Sequence, residues 1–81
     1  MIHKKIKTID ELKQLAENGL ECCILLNHGV YSVKYISWSV DTFYVFNYID
    51  ESDQELTEEQ IMDDNYTNIG KAMKMGALVV R

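Results

Sequence analysis

The sequence predicts a single α+β domain: an antiparallel sheet of three to four strands with short helices, in the order α-β-β-β-α-α-β. Three observations carry this. A helix with both ends marked opens the chain. Three apolar or alternating segments then follow between positions 20 and 49, separated by turn residues. Past position 56 come two further helix starts and a short apolar tail. Eighty-one residues suit one domain and one core, 1–81, with 1–7 expected as a mobile lead-in.

The first helix is expected at 9–18. Thr8 and Glu11 have the spacing of a capping box. Ile9, Leu12, Leu15 and Ala16 share one face, and Gly19 supplies a left-handed stop. "LECCILLN" reads as a central strand, and "NHG" at 27–29 as a turn. "VYSVKYISWSV" is the second strand. Tyr31, Val33 and Tyr35 alternate on one face, then Ile36, Trp38 and Val40 on the other, a phase slip that predicts a β-bulge near 35–36. "TFYVFNYI" is the third, with Phe43, Val45 and Ile49 on one side and Tyr44, Phe46 and Tyr48 on the other. The next segment, 50–56, is read as an acidic connection. Thr57 and Gln60 form a second capping box, with Leu56 and Ile61 as a hydrophobic staple, for a short helix at 58–64. "TNIGKAMKMG" gives a third helix, capped by Thr67 or Asn68 and ended by Gly76, and "ALVV" a last strand.

Charge is the most distinctive feature. Net charge is -5, but no basic residue stands between Lys34 and Lys71, an interval holding nine carboxylates. Eight of them fall within 50–64: Asp50, Glu51, Asp53, Glu55, Glu58, Glu59, Asp63 and Asp64. Ordinary solvated faces interleave both signs. Were 50–64 helical throughout, the charges would recur about every 2.8 Å along the axis, close to the density of a phosphate backbone. These eight residues are the candidate partner-binding set, suited to a basic protein surface.

Other chemistries find little support. Cys22 and Cys23 are adjacent, so on a strand they point to opposite faces, and the only histidines are His3 and His28. Two small buried hydrophobes are the expected reading, with no metal and no cofactor. "DESDQELTEEQI" has a calcium-loop start but Glu55 where glycine is needed and Ile61 where a bidentate glutamate is needed. No nucleophile elbow, zinc-protease motif, P-loop or dinucleotide fingerprint occurs, so no catalytic residue is expected. His28 is expected as an exposed turn residue. The single arginine is Arg81, too little for direct nucleic-acid binding. No apolar run spans a bilayer and no export signal is read at the start, which leads to a cytoplasmic expectation without membrane contact.

The aromatic residues Tyr31, Tyr35, Tyr44, Phe46 and Tyr48 admit two placements. The simpler puts them in the core beneath a helix. The other leaves one sheet face half covered, to be buried against a second copy or a partner. A homodimer or larger homo-oligomer through this face is the alternative to the acidic binder.

"TIDELKQLAENGLE", "DTFYVFNYIDESDQELTEEQI" and "TNIGKAMKMGALV", over half the chain, resemble small acidic accessory proteins encoded by phages and conjugative elements of low-GC bacteria. Such proteins include anti-CRISPR and antirestriction inhibitors, several of which act as acidic decoys on nucleic-acid-binding enzymes. The resemblance implies a stoichiometric binder rather than a catalyst, and with the acidic stretch it leads to the expectation of an inhibitor that occupies the basic surface of a host CRISPR or restriction nuclease. It carries over no site residue.

Overall fold

The computed structural model describes residues 4–26 and 31–81. The order is α1 (Ile9–Ala16), β1 (Leu20–Leu25), β2 (Tyr31–Ser39), β3 (Thr42–Asn47), β4 (Ser52–Leu56), α2 (Glu58–Ile61), α3 (Ile69–Lys74) and β5 (Leu78–Val80). The strands form one antiparallel sheet ordered β4-β3-β2-β1-β5. The architecture is α+β as the sequence predicts, with one strand more. The expected turn at 27–29 and both histidines lie outside the described residues.

The helix signals translate into local structure. Thr8 Oγ1 accepts from the Glu11 N–H at 3.2 Å. The reciprocal arm lands one residue earlier than in a standard capping box: the Glu11 carboxylate accepts from the Lys7 N–H and the Thr8 hydroxyl. α1 ends at Ala16, two residues short of the sequence estimate, and the chain turns through Gly19 at φ 82. Glycine suits this positive φ, which strains other residues, and a Cβ would also push the Tyr35 hydroxyl aside from 2.2 Å. The Thr57–Gln60 box at α2 is complete in both directions. α3 starts with the Thr67 hydroxyl accepting from the Ile69 N–H.

β2 runs without a bulge. Its pairing with both neighbours is continuous across Tyr35 and Ile36. The apparent phase slip has another cause: Lys34 occupies the core-facing position that precedes Ile36, so the apolar row simply begins late. Burial lowers the Lys34 pKa, and its Nζ donates to Asn47 Oδ1. Val40 sits in the β2–β3 turn at φ 59 rather than on a strand face. β3 ends at Asn47, so Ile49 leaves the core row and stands 70% exposed in the next turn.

One core joins all three helices to one face of the sheet. Leu20, Cys22, Ile24, Ile36, Phe43, Val45, Leu56 and Leu78 pack with Leu12 and Ala16 of α1, Ile61 of α2, and Ile69, Ala72 and Met73 of α3. Gly70 lets α3 approach the α2 end, since a Cβ would meet the Met62 backbone at 2.8 Å. The lead-in segment joins too. Lys4–Ile6 exchange hydrogen bonds with β5, and Ile6 is fully buried.

Candidate protein-binding surface

The face opposite the helices is assembled by the period-two alternation of the strands. Glu21, Cys23 and Leu25 of β1 lie on it, as do Val33, Tyr35 and Ser37 of β2 and Tyr44 and Phe46 of β3. Asp53 and Glu55 of β4 continue the row, because they pair with Phe46 and Tyr44. No residue of this set belongs to the helix-packed core. Tyr35, Tyr44 and Phe46 are half-buried and Tyr48 is exposed. The placement of these aromatics beneath a helix is therefore overturned. The three described helices, of eight, four and six residues, cover one sheet face and leave none among the described residues for the other. Tyr31 takes its position opposite Leu25 in the β1–β2 register, and its side chain lies outside the described residues.

Tyr48 stands in the β3–β4 turn yet stays with the cluster, its ring edge-on to Phe46 at 5.2 Å. Tyr44 donates its hydroxyl to Asp53 Oδ2 at 3.1 Å, which holds the phenol in its protonated form and raises its pKa. Aromatic rings and carboxylates thus share one open surface, and the Tyr44–Asp53 contact ties the two kinds of residue together.

The acidic stretch does not form a helix. Asp50 and Glu51 occupy the β3–β4 turn, Asp53 and Glu55 lie on β4, Glu58 and Glu59 open α2, and Asp63 and Asp64 fall between α2 and α3. All eight are exposed. The expected ladder of one charge per 2.8 Å is replaced by wider spacing. On an extended strand, Asp53 and Glu55 stand about 6.8 Å apart. β4 is the residue set that sequence reasoning missed. Its inward positions are Ser52, Gln54 and Leu56, and only the last is apolar, so the alternation is faint. The readable signal is Asp50 before Ser52: the Asp50 carboxylate accepts from the Ser52 N–H and hydroxyl, which closes the turn and draws the Asp50 pKa down.

A polar chain supports that turn from behind. Buried Lys34 donates to Asn47, whose Nδ2 donates to Ser52 Oγ at 3.2 Å, and Ser52 in turn holds Asp50. Among the described residues, Glu58 is the one member of the eight in an ion pair, 2.6 Å from Lys13 Nζ. Lys13 is partly buried and Glu58 exposed, so the pair contributes at most about 1 kcal/mol.

The chain matches no family model, no curated protein and no solved structure.

Among the described residues, no group of three or more His, Cys, Asp or Glu side chains is placed to hold a metal ion. No described helix is long and apolar enough to cross a membrane. Cys22 faces the core and Cys23 the open side, as adjacent strand residues must. Burial pushes the Cys22 thiol up from 9.0 to about 12. A thiol so protonated is a poor nucleophile.

The sheet is also polarised edge to edge. β4, at one edge, carries Asp53 and Glu55. At the other, Lys4 and Lys5 run beside β5, and Arg81 follows it, 3.2 Å from Glu21. The charge asymmetry of the sequence thus becomes an asymmetry in space.

Proposed function

We propose that this protein is a non-enzymatic binding module that docks a basic protein partner on its open sheet face. The observation that carries the reading is the pairing of Phe46 with Asp53 and of Tyr44 with Glu55 on a face that no helix covers. Aromatic rings that tolerate water when free supply area on burial, and flanking carboxylates supply charge complementarity and speed the encounter. Glu51 and Asp50 extend the acidic edge, while Glu59, Asp63 and Asp64 lie on the helical layer and add to the long-range field. The partner class that fits is an enzyme with a basic groove for nucleic acid, such as a host defence nuclease, inhibited by occupancy of that groove.

The test is capture from nuclease-treated bacterial lysate by the tagged protein, in three forms. Wild type is expected to retain a basic protein at low salt and release it at high salt. Glu51→Lys/Asp53→Lys/Glu55→Lys and, separately, Phe46→Asp are both expected to lose it while keeping the wild-type circular dichroism spectrum. Retention by the charge-reversed form refutes the proposal.

The basic edge at Lys5 and Arg81 favours one second reading, a face-to-face homodimer in which each acidic edge meets the other copy's basic edge. Light scattering across concentrations separates the two. A dimer dissociated by Phe46→Asp supports the homodimer, and a monomer throughout supports the hetero-partner.

A further inference from the structure

Away from the open face, a groove of about 440 Å³ is lined by Lys13, Trp38, Asp41, Thr57, Glu58 and Glu59. It lies where α1, the β2–β3 turn and the first turn of α2 meet. Trp38 forms its apolar wall and is held by Phe43, whose ring centroid is 4.3 Å away at a 45° tilt. Three carboxylates face one lysine across this space, so it is negatively charged even with Lys13 in place. Lys13 itself reports what the groove selects. Its ammonium sits 5.0 Å from the centre of the indole ring and 2.6 Å from Glu58. A cation is thus already seated on an aromatic face and a carboxylate, both of them in reach of solvent.

We propose that this groove is the receptor for an arginine side chain of the basic partner, and that Lys13 is an internal occupant that the arginine displaces. This rests on the reading of the protein as a binder of basic surfaces. Arginine is the better guest for physical reasons. Its planar guanidinium stacks on an indole, which a compact ammonium cannot do. Its fork of donors engages one carboxylate bidentately or two at once, and Glu58, Glu59 and Asp41 offer more than one. The occupant it displaces is modestly held, by one partly exposed ion pair and one cation–π contact.

The chain has one tryptophan and five tyrosines, so fluorescence excited where only the indole absorbs reports on Trp38 in this groove. N-acetyl-arginine amide is titrated against the full chain, with N-acetyl-citrulline amide as the neutral isostere and magnesium chloride as an inorganic control. Saturable change with arginine alone is expected. Lys13→Met is expected to tighten arginine binding about threefold or more by removing the competitor. Glu58→Gln/Glu59→Gln is expected to weaken it by about tenfold. An equal response to citrulline, a response to magnesium without one to arginine, or no effect of either variant overturns the proposal. If the Glu58→Gln/Glu59→Gln variant also still captures the basic partner at wild-type affinity, the groove is refuted while the open-face reading stands.

Discussion

Phe43 and Phe46 are three residues apart on one strand and meet opposite fates. Phe43 is fully buried against Trp38 under α2, and Phe46 is half-exposed between Tyr48 and the acidic edge. The contrast holds on the β3–β4 side of the sheet and fades toward β1 and β5, where Cys23 and Val79 point away from the helices yet are buried. One side is built for folding and the other keeps apolar surface in contact with water. A small domain with a thin stability margin gains from burying such rings, so leaving them open points to a use for them.

The sharpest way to break that comparison is to truncate both rings. Phe43→Ala is expected to cost about 3–5 kcal/mol, enough to unfold much of the population, whereas Phe46→Ala costs about 1 kcal/mol or less. Urea denaturation measures both. Equal losses would mean that the open face belongs to the core after all.

The two cysteines give the next contrast, read through pH. The folded state holds the Cys22 proton until about pH 12, while the unfolded chain gives it up near 9.0. A raised thiol pKa contributes stability that is fully present below the unfolded value and is lost as pH rises toward the folded value. Between pH 9 and 12 the loss runs at roughly 1.4 kcal/mol per pH unit. Lys34, lowered by burial, works in the opposite sense over its own range and is common to every protein compared. Cys22→Ala is expected to flatten the alkaline decline, and Cys23→Ala to keep most of it, because burial outweighs the neighbouring thiol in raising the Cys22 pKa. Thermal melts at stepped pH decide the matter, and an unchanged slope in Cys22→Ala would refute the assignment.

The smallest effect concerns Val40, which belongs to neither face. It is 85% exposed and sits at φ 59, a conformation that strains a β-branched residue. Val40→Gly is expected to raise stability by about 0.5–1 kcal/mol, net of the extra chain entropy of glycine. A fall in melting temperature would show that the turn carries no strain worth relieving.

Reading the sequence recovered elements wherever local chemistry is self-sufficient. Thr57 and Gln60 cap α2 with no help from the rest of the fold, and Gly19 ends its helix by its own backbone freedom. It failed where the signal depends on a neighbour. β4 exists because β3 offers it an edge, and its own residues alternate too weakly to announce it. Lys34 reads as surface in isolation. Asn47 and Ser52, brought beside it by strand pairing, make its buried position tolerable. The supposed bulge had the same origin, a polar residue in a core row mistaken for a shift of register.

By itself the sequence determined the α+β class, the helix starts, the strand faces of Phe43 and Tyr44, and the separation of acidic from basic residues along the chain, while α1 and α2 end two and three residues earlier than it suggests. Those follow from spacing, capping and composition, which act over a few positions. Only the tertiary structure decided that all three helices crowd one side of the sheet, that acids and aromatics share the other, and that Lys13 crosses from α1 to Trp38 and Glu58. Each of these depends on which surfaces compete to be buried, and that competition is settled among segments distant in the chain.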